Sequence, residues 1–282
     1  MNKPNKSSGL NRSELIGSIR KFENWLNLSG YESYDPYDIW GTKYGLWSRA
    51  IYYERGLLGA PFISPILLIE ALLPSARKLF VNKERFATAD GQLILAWLNL
   101  YNVFDDESYL EKAVSLGEEL LSYSIEGYSG LCWGYPFDWR HSTAITKRDT
   151  PLITSTPYCF EAYLNLYKVT NDQQYLEIIK SIAEFVHKDL NETPTGKNST
   201  AGSYTPFDNG KVVNASCYRC WLLYEAWRQI GKIEYKEAAE RNLNFILESQ
   251  NEDGSWPYAL GNPRENFIDN FHTCFNIKIY TR

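Results

Sequence analysis

The chain has 282 residues, 44% of them hydrophobic, with 29 Lys and Arg against 34 Asp and Glu and a formal net charge of −5. That is enough apolar material for one large soluble domain, and no uninterrupted apolar run approaches the ~18 residues of a membrane span. Scattered basic residues give no electrostatic footprint for nucleic acid, and five cysteines, an odd number, do not read as a disulfide framework. The stretch Met1 to Gly9 lacks the apolar core of a signal peptide, so the expected location is cytoplasmic. Residues 1–12 are expected to be flexible and residues 13–282 to form a single domain.

Ser13 to Leu28 predicts an amphipathic helix with Phe22, Trp25 and Leu26 on its apolar face. An aromatic loop, Gly30 to Gly41, leads to predicted helices over Leu46 to Arg55 and Pro65 to Phe80, joined through Gly56 to Pro61. A pattern then returns three times: an aromatic anchor, a tyrosine eight positions on, and small or aliphatic residues four and eleven beyond that. The copies are Tyr101, Tyr109, Ala113, Leu120; Tyr167, Tyr175, Ile179, Val186; and Trp227, Tyr235, Ala239, Ile246. Each parses as a helical hairpin, because apolar residues recur at three-and-four spacing on both sides of a short polar turn. Side chains of the turns Asp105 to Ser108 and Asn171 to Gln174 are expected to cap the second helices, which end near Tyr123, Leu190 and Gln250.

After each second helix comes a loop rich in aromatics, Gly and Pro: Gly130 to Trp139, Gly202 to Asp208, and Asp253 to Tyr258. The three loops therefore share one structural position, the rim of the helical scaffold, where sites are usually built. Phe267 to Tyr280 aligns with the start of a first helix. Either this last helix pairs with Ser13 to Leu28 and closes a ring of about five hairpins, or the chain is truncated at its C-terminus.

Aromatic residues are abundant, with 21 Tyr, 9 Trp and 13 Phe. Rings lining a cleft stack on sugar faces while Tyr and Trp donate hydrogen bonds; the competing reading is that they pack loop bases onto helices. A glycosidase needs two carboxylates about 5–10 Å apart, and the rim supplies Asp138, Asp208, Asp253 and Asp269, with Glu161 one turn into a helix. An Asp after Pro-Phe also caps turns. A lyase or epimerase needs a Tyr or His to move a proton and a donor for a uronate carboxylate. Tyr135, Tyr204, Tyr218, Tyr258 and His272 fit the first task, and Arg140, Arg219 and Asn214 the second. The predicted catalytic set is Asp138, Tyr204, Asp208 and His272, with Trp133, Trp139, Tyr158 and Trp256 among the substrate-binding residues.

The hairpins with aromatic loops on one side resemble the (α/α) toroids, the six-hairpin-glycosidase-like fold. Cys132 to Trp139, Thr154 to Glu161, Tyr204 to Asp208, Asn214 to Ser216, Asp253 to Tyr258 and Ile268 to Thr273 resemble toroid proteins encoded among bacterial surface-polysaccharide genes. The resemblance implies an all-α toroid of five to six hairpins acting on a polysaccharide or its precursor as a lyase, epimerase or glycoside hydrolase, without a cofactor. The different-class alternative is a non-catalytic carbohydrate-binding or scaffold protein of polysaccharide biosynthesis.

Two remoter families share single features. Gln250 to Trp256 fits the Q-x-x-x-G-x-W motif of triterpene cyclases, but the acidic motifs of those enzymes are missing. Cys217 and Cys220, with His141, Cys274 and His272 at the same helix ends, are compatible in type with the zinc of lanthionine cyclases, whose signature motifs are also missing. Core cysteines are the simpler reading, and no metal is expected.

Overall fold

The computed structural model describes residues 11–35, 37–141, 144–262 and 265–280. Its helices are α1 (Arg12–Ser29), α2 (Lys43–Arg55), α3 (Ala60–Leu72), α4 (Ala87–Phe104), α5 (Glu107–Ser122), α6 (Thr156–Thr170), α7 (Gln173–Lys188), α8 (Val213–Ile230), α9 (Ile233–Glu248) and α10 (Asn270–Tyr280). Most of the expected flexible N-terminus, residues 1–10, lies outside the described residues; α1 already begins at Arg12.

Each of the three repeats turns on one backbone device. The residue four after the aromatic anchor is left-handed: Asp105 (φ 55°), Asn171 (φ 56°) and Gly231 (φ 79°). Its N–H donates to the anchor's carbonyl, that of Tyr101, Tyr167 or Trp227, at 2.7–2.8 Å, so the first helix ends with that acceptor satisfied. Asp106 and Asp172 then cap the second helices by accepting from Ser108 and Gln174 N–H. The third copy has Lys232 there; its ammonium instead binds Glu184 at 2.6 Å and lies over the Tyr235 ring.

The repeat tyrosines Tyr109, Tyr175 and Tyr235 and their small or aliphatic followers are all buried. Tyr109 stacks on Trp97 and Tyr175 on Tyr163, each a residue of the preceding first helix. The hairpin is thus fastened at its turn by the backbone and along its length by the rings.

Helices α4, α6, α8 and α10 pack in series as an inner layer, and α5, α7 and α9 back them. Gly91 lets α4 and α6 meet: a Cβ there would stand 2.7 Å from the Tyr158 carbonyl oxygen. The architecture is the (α/α) toroid, with two small additions in the rim loops, the antiparallel ribbons β1 (Trp139–Arg140) with β2 (Ile145–Thr146) and β3 (Glu192–Pro194) with β4 (Thr200–Gly202).

Two expectations are corrected. α1 and α10 do not form a closing hairpin: α1 packs on α4 and α5 through Phe22 against Trp97 and Glu23 with Lys112, whereas α10 packs on α8. The helix expected from Pro65 to Phe80 instead starts at Ala60 and passes at Pro74 into a 3₁₀ turn. In addition, Lys43–Leu72 is long and apolar enough by composition to cross a membrane. It is folded, however, as the two helices α2 and α3, reversed at Gly56–Gly59.

The clasp predicts the effect of its central residue. Asn171→Gly is expected to leave the melting temperature nearly unchanged, while Asn171→Val costs about 1–2 kcal/mol because a branched Cβ opposes the left-handed conformation. Thermal unfolding followed by circular dichroism checks this, and equal stability of the two variants would refute it.

Candidate active site

The loops 123–155, 189–212 and 249–269 each deliver the chain from an outer helix to the N-terminal end of the next inner helix, and their rings meet there. Trp139 lies 6.2 Å from Tyr135, 5.5 Å from His141 and 6.4 Å from Tyr204 between ring centroids. The hydroxyls of Tyr158, on the first turn of α6, and Tyr218, on the second turn of α8, share a 2.8 Å hydrogen bond. Tyr258 packs 4.5 Å from His272. Tyr204 and Tyr258 both feel Tyr135 and Asp208, which joins these groups into one cluster.

Burial dominates the electrostatics of the cluster. It pushes the Tyr135 and Tyr204 phenols up, with Thr154 beside both working against the rise, and pushes Tyr258 up to about 12. These phenols are proton donors at neutral pH. Burial lowers His141, so that imidazole favours its neutral form. His272 donates its backbone N–H to Asp269 and holds the same carboxylate at 2.7 Å through Nδ1. Burial works to raise Asp269, but these two bonds hold it below its ordinary value. An aspartate on Nδ1 fixes the ring and directs Nε2 away from itself.

The other predicted acids have different surroundings. Asp138 accepts from Arg148 N–H at 2.8 Å and pairs with Lys147 at 2.9 Å, closing the β1–β2 ribbon. Although burial pushes the other way, these donors hold its carboxyl below the usual range. All of Asp208 is spent on its own loop, accepting from Tyr204, Thr205 and Gly210 N–H and from the Thr205 hydroxyl. Asp253 caps the turn at Ser255. Glu161 lies deeper, with Gln92, Asn99 and Asn165, in an open groove of about 390 Å³ between α4 and α6.

Several predicted binding residues are core members. Trp133 and Trp256 are buried and donate their Nε1–H groups to Leu120 and Ile246 carbonyls. Arg219 is fully buried, bound to Glu192 at 2.9 Å, to Asn242 Oδ1 and to the Val186 carbonyl. It ties α8 to α7, α9 and the β3–β4 ribbon, and faces away from Tyr218. Cys217 and Cys220 sit within α8, their thiols pushed up by burial. Among the described residues no cluster of three His, Cys, Asp or Glu could hold a metal.

Unpaired polar atoms remain beneath the rings, near the N-terminal ends of α6 and α8. Buried Ser155 Oγ, Asn214 Oδ1 and Arg140 Nε have no hydrogen-bond partner among the described residues. No side chain caps α4, α6 or α8, nor the outer helix α9, whereas Asp106 and Asp172 cap α5 and α7. At α6 the Thr156 and Tyr158 N–H groups are taken by the Leu152 and Ser155 carbonyls and Pro157 has none, and at α8 the Val213 N–H is taken by the Tyr258 carbonyl, so what these ends offer an anion is the positive potential of the helix dipole. Sequence reasoning did not place His141, Thr154 or Ser155 in the catalytic or binding set and weighed His141 only as a metal ligand; its place directly after Trp139 and Arg140 in an aromatic loop was the signal.

The sequence matches no protein-family model and no curated protein. Among solved structures, the fold is similar to the unsaturated glucuronyl hydrolase of Bacillus sp. GL1, with TM-score 0.52 and 16% identity over 96% of this chain and 78% of that one. It is also similar to a sugar epimerase from a ruminal bacterium, with TM-score 0.50 and 12% identity over 70% of this chain. The chain spans 54% of the length of that epimerase. The unsaturated glucuronyl hydrolase of Streptococcus agalactiae gives TM-score 0.51 at 16% identity over 94% of this chain and 72% of that one. These likenesses establish the toroid fold.

Two stability predictions follow from the Arg219 tie. Arg219→Met strips partners from Glu192, Asn242 and the Val186 carbonyl and is expected to cost about 3–5 kcal/mol by chemical denaturation; a loss below about 1 kcal/mol would show the tie to be idle. Burial tends to raise Glu192, but Arg241 and Arg219 lower its carboxyl from 4.5 to about 2. A depressed carboxylate stabilises the fold above its unfolded value and loses that contribution as pH falls through the folded one. Glu192→Gln should therefore flatten the fall in melting temperature between those two pH values, and an unchanged slope contradicts the assignment.

Proposed function

We propose that the chain is a carbohydrate-active enzyme that binds an oligosaccharide or polysaccharide across the aromatic rim and moves a proton at a sugar carbon, as lyases and epimerases do. The observation that carries this reading is His272, oriented by Asp269 and packed against the protonated Tyr258. Hydrolysis by a pair of carboxylates is less well supported, because Asp138, Asp208 and Asp253 are engaged by their own loops. The structural neighbours, a sugar epimerase and unsaturated glucuronyl hydrolases, belong to the same substrate class.

His272 Nε2 takes the proton next to a sugar carbonyl or carboxylate, leaving an enolate-like anion. Positive potential at the N-terminal ends of α6 and α8, with Arg140 Nε, offsets the developing charge. Tyr258 then returns a proton, to carbon in an epimerase or to the departing oxygen in a lyase. Tyr135, Trp139, Tyr158, Tyr204 and Tyr218 stack on and hydrogen-bond the sugar. The setting we propose is bacterial surface-polysaccharide synthesis in the cytoplasm, supported by the rim motifs from Cys132 to Thr273.

Incubation with uronate and neutral oligosaccharides in deuterated water tests this. NMR should show deuterium entering the sugar, with inversion for an epimerase or an unsaturated product for a lyase. His272→Gln and Tyr258→Phe should each slow turnover by about 10²–10⁴-fold, while Asp138→Asn should stay within a few-fold. Sugar binding without exchange or cleavage would replace the enzyme by a carbohydrate-binding protein.

A further inference from the structure

From Gly56 to Pro74 the chain reads Gly-Leu-Leu-Gly-Ala-Pro-Phe-Ile-Ser-Pro-Ile-Leu-Leu-Ile-Glu-Ala-Leu-Leu-Pro. A helix apolar on all sides is normally enclosed, either in a protein core or in lipid. Here only Ile66 of α3 is buried. Leu57 and Leu58 at the hairpin tip are 85% and 80% exposed, and Leu67, Leu68, Leu72 and Leu73 continue the apolar surface. Every exposed residue between Gly56 and Pro74 is apolar or glycine. A soluble surface does not carry such a patch without a use.

The polar groups within the segment are satisfied internally. Ser64 donates its hydroxyl to the Ala60 carbonyl, and Glu70 turns toward the protein to accept from Trp40 Nε1 at 3.0 Å. The one hydroxyl of the segment is therefore satisfied within its own helix, and its one carboxylate is turned to a donor on the protein side. Exposed cations flank the segment in sequence, Arg55 before it and Lys78 after it, while Arg77 is tied to the Asp35 carbonyl and Asp38, and Tyr44 and Trp47 on α2 are exposed beside Phe62. Basic and aromatic residues bordering an apolar face suit the headgroup region of an anionic bilayer. At about 1.5 Å per residue α3 reaches about 20 Å, short of the ~30 Å hydrocarbon core, so it can lie in the interface but not span.

We infer that the α2–α3 hairpin is a membrane-docking element whose occupant is the surface of an anionic lipid bilayer, entered by the Leu57–Leu58 tip and the apolar side of α3. The surface stands apart from the chemistry of the rim but adjoins it: Gly41 abuts Asp138, and Arg49 donates to the Arg140 carbonyl. Docking would hold the cleft beside the bilayer.

Vesicle flotation of the full chain tests this, with phosphatidylcholine alone and phosphatidylcholine mixed with phosphatidylglycerol. The chain should float with the mixed vesicles, and Leu57→Glu combined with Leu68→Glu should weaken partition at least about a hundredfold while circular dichroism stays unchanged. Arg55→Glu with Lys78→Glu should remove only the gain from the anionic lipid. Failure to float with either vesicle overturns the proposal. So does sedimentation showing that the leucine variant dissociates a dimer without altering flotation, since the face would then be occupied by a second copy.

Discussion

The structure depends on a fastening made three times: a left-handed residue closing the first helix onto its aromatic anchor, and a buried tyrosine one turn into the second helix. The first sets the turn; the second stacks on the first helix in two copies, and in the third Tyr235 packs on His187 of α7. With both in place, the inner helices are held in series and their N-terminal ends fall on one side. Everything attributed to the rim follows from that geometry, because the loops have no other place to converge.

The chemistry of the rim is shaped by what the loops use up. Their aspartates mostly hold the loops themselves in shape, so the polar groups left facing the cleft are phenols, imidazoles and the uncapped ends of α6 and α8. Burial keeps the phenols protonated and His141 neutral, which sorts donors from acceptors. A site of that kind is suited to moving protons on a polar ligand rather than to placing two free carboxylates across a bond.

Much of this was legible from residue spacing. The eight-residue step from anchor to tyrosine reports a tight turn between two helices, and it located α4 to α9 to within a few residues. The aromatic loops were equally visible, since Gly, Pro and aromatic clusters interrupt the helical period. Direction was not visible. Tyr218 and Arg219 are adjacent in sequence, but about 100° apart around α8, so one meets Tyr158 while the other is locked among α7, α9 and β3. Asp138 and Asp208 follow the same Pro-Phe step, yet nothing in the letters tells whether a carboxylate turns toward solvent or back onto backbone N–H groups. The exposure of α3 was hidden for a related reason: a helix apolar on every side carries no stripe to show which face is covered.

The central claim is that a sugar ligand sits over the N-terminal ends of α6 and α8, between Trp139 and His272. A crystal structure with a bound uronate oligosaccharide tests it most directly. The account predicts a sugar within hydrogen-bond distance of Tyr258, His272 and Asn214, with a ring face against Trp139 or Tyr204. A sugar bound instead in the groove between α4 and α6, beside Glu161 and Asn165, would contradict it.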